Sequence, residues 1–297
     1  MDPGEHGSPG GAANSATMPG KADIVAPMTI APSLEECALQ LREEGWVTVP
    51  EVFTGSQLDA LREGLAIALD AARAEGQILF REGVDVNDRS LRVLHLLDQH
   101  PAFRDMVEHR TVRDLVSSVL GNQYLLSSLS ANISLPGSES MGMHNDLMAV
   151  LPEPWLAPYG TNLFICLDDM DEENGATRYL PGSHRFTTND MASDDDLRRT
   201  VPIPASAGSI VAMDGRLWHT SGANRSADRP RRILIAFFVA SFIRTQYNWG
   251  ALLPDPVKGA ASSSLRQLLG LDEGNMGVRL GYAAFSGTKQ GVDPHAH

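Results

Sequence analysis

The sequence changes its grammar at Gly121, and that change restricts the chain to a helical first part followed by a half built mainly of strands. Upstream, apolar side chains recur at helical spacing. They run Leu34, Cys37, Ala38 and Leu41 up to Gly45, then Leu58, Leu61, Leu65, Leu69 and Ala72, then Phe103, Met106, Val107, Val112, Leu115, Val116, Val119 and Leu120 between Pro101 and Gly121. Ser33 followed by Glu36 is a capping box for the first run, and Trp46 to Pro50 reads as a strand between the first two helices. Downstream, short β-branched and aromatic runs alternate with Pro-Gly, Asn-Gly, Asp-Gly and Arg-Pro, the spacing of an antiparallel sandwich. Strands are expected at about 124–133, 141–147, 161–168, 177–181, 208–213, 216–220 and 231–242. Asn174-Gly175 and Asp214-Gly215 suit tight reversals because these residue types tolerate positive φ. Residues 193–199 read either as a short helix with acids at its positive end or as a solvated acidic loop; Ser263 to Leu271 reads as a helix whose role is not legible.

Residues 1–30 are rich in Gly, Pro, Ala and Ser and are expected to be a disordered tail. Residues 31–297 are expected to form one domain: helical support at about 31–121, a core at about 122–245 and a C-terminal segment at 246–297. A 42% hydrophobic content is ample for a large buried core. Lys plus Arg number 24 against 37 Asp plus Glu, and a formal charge of −13 argues against nucleic acid as a partner. The two cysteines, Cys37 and Cys166, are too few for a disulfide scaffold or a thiolate cluster. No apolar run reaches membrane-spanning length, and Asp2 and Glu5 stand where a signal peptide would carry basic charge, so a cytoplasmic protein with no membrane partner is expected.

Nine histidines occur. His6, His295 and His297 lie near the ends, and His95, His100 and His109 lie in helical or loop context that suggests no partners. His144-Asn145-Asp146 differs, because on a strand two ligands separated by one residue project to the same face. An imidazole and a carboxylate so placed need one more donor to complete a facial triad with open positions opposite. His219 is the candidate, brought across by the strand after the Asp214-Gly215 turn. A His-X-Asp tripeptide alone is more often an ordinary polar pair at a strand end. Its context includes Arg231 and Arg232 at the head of the apolar strand Ile233 to Phe238, where neighbours face opposite ways. An arginine there is either a surface cap or a buried fork for a carboxylate, and Arg231 is expected to point inward.

In ordered combination these pieces resemble the phytanoyl-CoA dioxygenase family of iron(II)/2-oxoglutarate oxygenases. The resemblance runs through Glu44 to Phe53, Pro101 to Gly121, His144 to Asp146, Asp169 to Ala176, Pro181 to Arg185 and His219 to Arg231. It implies a double-stranded β-helix, a cupin-like jelly roll, backed by N-terminal helices. It further implies iron(II) on His144, Asp146 and His219, and 2-oxoglutarate held through its distal carboxylate by Arg231. Ser221, Asn162 and Asn132 match positions that face the same cosubstrate pocket, each equally well read as a strand polar group satisfied by the backbone. His184, in Pro181-Gly182-Ser183-His184, matches a structural turn rather than a ligand. Gly142 and the lysine-free stretch Asn132 to Gly137 depart from many relatives.

The implied reaction converts 2-oxoglutarate and dioxygen to succinate and carbon dioxide while oxidising an unactivated C–H bond of a small metabolite or natural-product intermediate. Retention of Asp146 favours hydroxylation, desaturation or ring chemistry over halogenation, for which related enzymes replace the carboxylate. Substrate contacts are expected from Met148, Trp155 and Tyr159 and from the stretch Ile78 to His95, outside the regular strands; Trp155 and Tyr159 equally suit packing at the barrel end. The alternatives are a cupin-type metal enzyme that uses no 2-oxoglutarate, a non-catalytic barrel, and an interaction protein.

Overall fold

A computed structural model describes residues 33–189 and 193–271; the tail expected at 1–30 and the end of the C-terminal segment lie outside the described residues. Ser33 caps α1 (Leu34–Glu44): its hydroxyl accepts from the Glu36 N–H at 3.3 Å, and the Glu36 carboxylate accepts from the Ser33 N–H at 2.8 Å. β1 (Trp46–Val49) follows, then α2 (Ser56–Ala74), whose Leu58, Leu61, Leu65, Ala68 and Ala72 form one buried stripe. The apolar pattern from Pro101 to Gly121 is unbroken in sequence but makes two helices, α3 (Pro101–Glu108) and α4 (Arg110–Leu120). His109 at ψ 136° interrupts the helical ladder, and its ring packs on Phe53 with centroids 5.0 Å apart.

The strands are β2 (Ser90–Val93), β3 (Tyr124–Ser134), β4 (Gly160–Cys166), β5 (Thr177–Tyr179), β6 (Val201–Pro202), β7 (Ile210–Asp214), β8 (His219–Ser221) and β9 (Arg231–Ala240). They form two antiparallel sheets, β1-β7-β4-β9-β3-β2 and β6-β5-β8, which is the jelly-roll arrangement with helical support; the two sheets do not close into a continuous barrel. β2 lies in the stretch expected to be free of regular strands. The acidic stretch at 193–199 is a short capped helix, α5 (Asp194–Arg198). After β9 come α6 (Trp249–Leu252), α7 (Asp255–Ala260) and α8 (Ser263–Leu268). α8 buries Leu265 and Leu268 in the main core, which accounts for a helix whose role the sequence did not disclose. Among the described residues no helix is long and apolar enough to cross a membrane.

Strand parity divides the chain into core and cavity. Leu129, Ala131, Ile133, Leu163, Ile165, Leu234, Ala236 and Phe238 face the helices and join Leu61, Leu65, Phe103 and Leu115 in one buried cluster. Each fully buried side chain of this kind contributes about 1.5–3 kcal/mol by leaving water. The intervening residues face the other sheet. There Phe164, Cys166, Tyr179, Val211, Met213, Leu217 and Ile233 make a second, smaller core.

Two sequence expectations need correction. The strand expected at 141–147 is reduced to a single antiparallel bridge, His144 to His219, with N–H to O distances of 3.0 and 2.8 Å. The Asn145 side chain accepts from the Leu147 N–H at 3.0 Å, an Asx-type turn that takes the backbone out of the strand. The reversals also differ from expectation. Gly175 uses positive φ (87°), whereas Gly215 does not; a Cβ on Gly215 would stand 2.8 Å from the Gly160 carbonyl oxygen, so close approach explains that glycine.

Gly208 joins the sheet to the helical layer. Its φ is 84°, its N–H donates to the Cys166 carbonyl, its own carbonyl accepts from Phe53 N–H, and an added Cβ would lie 2.1 Å from the Phe53 oxygen. Gly208→Ala is therefore expected to destabilise the protein by about 2–4 kcal/mol and to lower Tm by roughly 5–15 °C in calorimetry. A Tm within a degree of the parent would refute this account.

Candidate metal and anion site

His144 and His219 face each other because the lone bridge pairs their backbones, and their rings lie 4.3 Å apart between centroids. The Asx turn then redirects the chain so that Asp146 aims at the same point, its N–H anchored on the Gly215 carbonyl at 2.8 Å. Convergence of the pair His144 and Asp146 thus comes from a turn, not from strand alternation. One ligand atom from each of His144, Asp146 and His219 lies within 4.8 Å of the others, a separation that a single cation can share.

The donor set is prepared for a metal. His144 Nδ1 lies 3.2 Å from the Gly142 carbonyl oxygen and His219 Nδ1 lies 2.9 Å from that of Leu217. A carbonyl only accepts, so each Nδ1 donates and Nε2 is the nitrogen available to a metal. Burial, reinforced by the neighbouring His219 imidazole, pushes His144 down to about 4 and keeps it neutral. Asn162 Nδ2 donates to Asp146 Oδ2 at 3.1 Å and holds that carboxylate in place.

Three strands build the wall beside this set. Along β9 the inward residues are Arg231, Ile233, Ile235 and Phe237; across from them on β3 stand Ser134, Asn132, Ser130 and Ser128, and on β4 Cys166, Phe164 and Asn162. A cavity of about 250 Å³ lies over this surface, and its lining includes the triad, Arg231, Asn132, Asn162 and Ser221.

Arg231 is 1% exposed and starts the central strand. Its Nε donates to the Gly175 carbonyl at 3.1 Å and one terminal nitrogen donates to Asn132 Oδ1 at 2.9 Å. The other terminal nitrogen is buried with no partner among the described residues. The neighbours differ: Arg229 pairs with Asp171 and Glu173, and Arg232 with Asp168, each at 2.6 Å. Burial lowers the Arg231 guanidinium to about 10, so it remains cationic at neutral pH. A buried cation held only by neutral acceptors, with one N–H pair left over, is a site for an incoming carboxylate.

The other sequence candidates fall as follows. Asn132 touches Arg231 and Asn162 touches Asp146, so each positions a charged group as well as lining the cavity. Ser221 lines the cavity and accepts from the Met141 N–H at 3.3 Å. Met148 is half exposed, Trp155 is fully buried against Leu147, Phe237 and Val239, and Tyr159 packs beside that cluster; none of the three lines the cavity. From the stretch 78–95 Arg81, Arg92 and Leu94 do line it. Sequence reasoning missed Phe164, Thr177, Ser130, Gln246 and Tyr247. Period-two alternation from Asn162 and Arg231 signals Phe164, but Gln246 and Tyr247 sit beyond the strands and carried no such signal. His184 is buried away from the triad, against Gly45.

Comparison with known proteins gives the same picture. The family model described as phytanoyl-CoA dioxygenase matches residues 41–233. "Dioxygenase af480" of Aspergillus fumigatus is 41% identical over 249 residues, covering 84% of this chain and 80% of that protein. An uncharacterised protein of Mycobacterium tuberculosis is 28% identical, covering 80% of this chain and 87% of its own. Among solved structures, the non-haem α-ketoglutarate-dependent carbocyclase SnoK of nogalamycin biosynthesis superposes with a TM-score of 0.59 at 23% identity, covering 71% of this chain and 87% of that one. EctD from S. alaskensis, solved with 2-oxoglutarate and 5-hydroxyectoine, superposes with a TM-score of 0.59 at 17% identity, covering 73% and 80%. With a family model spanning most of the chain and a relative at this identity, the chain belongs to the phytanoyl-CoA dioxygenase family of iron(II)/2-oxoglutarate oxygenases.

Proposed function

We propose that this protein is an iron(II)/2-oxoglutarate-dependent dioxygenase that oxidises an unactivated C–H bond of a small metabolite or natural-product intermediate, by hydroxylation or by desaturation or ring chemistry. The observation that carries the proposal is the buried, incompletely paired Arg231 in one cavity with His144, Asp146 and His219. The residues fit both groups: two imidazoles and a carboxylate for the metal, and a guanidinium with a free N–H edge for a dicarboxylic acid. When bound, iron(II) with 2-oxoglutarate and dioxygen supplies the oxidant, and the cosubstrate leaves as succinate and carbon dioxide.

The chain's own residues bind, orient and exclude. His144, Asp146 and His219 would hold the metal through two imidazole nitrogens and a carboxylate oxygen at the wall of the cavity. Arg231 would fix the far carboxylate of the cosubstrate, and Asn132 fixes Arg231 without neutralising it. Phe164, Ile233, Ile235 and Phe237 keep the reacting region apolar. Because Asp146 is retained as a carboxylate ligand, halogenation is disfavoured. The cupin-type reading without 2-oxoglutarate leaves the unpaired Arg231 edge unexplained.

Anaerobic addition of iron(II) and 2-oxoglutarate is expected to raise a visible charge-transfer band whose titration gives the cosubstrate affinity. Arg231→Ala is expected to weaken that affinity roughly thirtyfold to a few thousandfold, and a band that titrates unchanged in this variant would defeat the cosubstrate assignment. Asn162→Ala is expected to weaken metal affinity about 10- to 100-fold, read by competition with a chelating dye, with the far-ultraviolet circular dichroism unaltered. Parental metal affinity in that variant, with weakened 2-oxoglutarate binding, would return Asn162 to a cosubstrate role.

A further inference from the structure

The β3 column in register with the inward face of β9 is Ser128, Ser130, Asn132 and Ser134, of which the first three line the cavity, hydroxyls and an amide where an apolar wall would ordinarily stand. Three of the four are engaged: Asn132 with Arg231, Ser134 with Ser138, and Ser128 with Gln246, to whose Oε1 it donates at 2.7 Å. Ser130 is paired through its backbone in the β3/β9 ladder and lines the cavity, its hydroxyl making no side-chain hydrogen bond among the described residues. Gln246 reaches the wall because β3 carries a bulge between Leu126 and Ser128. The extra residue, Ser127, accepts from the Gln246 N–H through its hydroxyl and from the Tyr247 N–H through its carbonyl, both at 2.9 Å. The bulge thereby ties the chain beyond β9 onto the mouth of the cavity. With Oε1 occupied by Ser128, the Gln246 amide has its N–H groups to offer.

Resting on the oxygenase reading above, we propose that Ser130 and Gln246 are specificity residues that hydrogen-bond an uncharged oxygen, an alcohol or a ketone, of a substrate otherwise made of hydrocarbon. The cations nearest that point are screened by a partner or by solvent. Arg92 is neutralised by a two-point pair with Asp85 at 2.8 Å, and Arg81 stands at the exposed rim. Arg231 is four residues along β9 from the Ser130 row, about 13 Å away. Leu94, Phe164, Ile235 and Phe237 supply the apolar remainder. The Ser130 row crosses Ile235 to reach Phe164, whose ring lies 6.1 Å from that of His219. Two strand spacings, about 10 Å, separate the anchor from the metal side. The oxidised carbon is therefore remote from the anchoring oxygen.

The test uses the full chain loaded anaerobically with iron(II) and 2-oxoglutarate, and calorimetric titration with octan-2-one, octanoate and octylammonium. Octan-2-one is expected to bind at least tenfold tighter than either ion. Ser130→Ala and Gln246→Leu are each expected to weaken ketone binding about three- to tenfold while the chelate band stays as in the parent. Tighter binding of octanoate or octylammonium, ketone affinity unchanged in both variants, or no binding of any probe to a protein with its band intact would overturn the proposal. Failure of the band itself would instead sink the oxygenase reading beneath it.

Discussion

The two-residue repeat of β3, β4 and β9 is the constraint on which the rest depends. One face of each strand is sealed against the helices by Leu129, Leu163, Leu234 and Phe238, and the register between strands follows from that seal. Sliding β9 by one residue would drive Arg231 into the helical core and turn Leu234 toward the cavity. The helical layer thus does more than add stability: by accepting only the apolar parity, it commits Arg231, Asn132 and Asn162 to the cavity.

Committing Arg231 inward carries an energetic cost that the fold leaves partly unmet. A carboxylate in place of Asn132 would complete an ion pair and quench the charge. Asn132 and the Gly175 carbonyl instead satisfy two positions and leave a third open. The surrounding arginines, each paired with an acid at the surface, show that the chain does not lack carboxylates to offer. A cation desolvated in advance binds an anion without first shedding water, and this preorganisation is the physical content of the proposed cosubstrate site.

The candidate metal ligands rest on a weaker scaffold than the arginine. His144 is held by one bridge and Asp146 by one turn, so local backbone hydrogen bonds, not a long ladder, set their spacing. Asn162 links the two subsites, since it is carried by a central strand yet grips the Asp146 carboxylate. The segment after β9 is drawn to the same cavity through the Ser127 bulge.

Much of this was readable in the residues. Helical periodicity, the Ser33 capping box, the alternation in β9 and the His144-Asn145-Asp146 spacing are local patterns, and local patterns survive in a linear sequence because they arise from backbone geometry within a few residues; His219 was legible only as the missing third donor and through the family resemblance. What the sequence could not disclose depends on contacts between distant stretches. The Asx turn in place of a strand at His144, the break at His109, the burial of Trp155 away from the cavity and the arrival of Gln246 at its mouth each depend on which remote backbone supplies a hydrogen bond or fills a space. Composition and spacing determined which chemistry this chain can host; only tertiary packing decided which side chains are left unpaired to perform it, because an unmet hydrogen bond is a property of the folded surroundings and not of the residue.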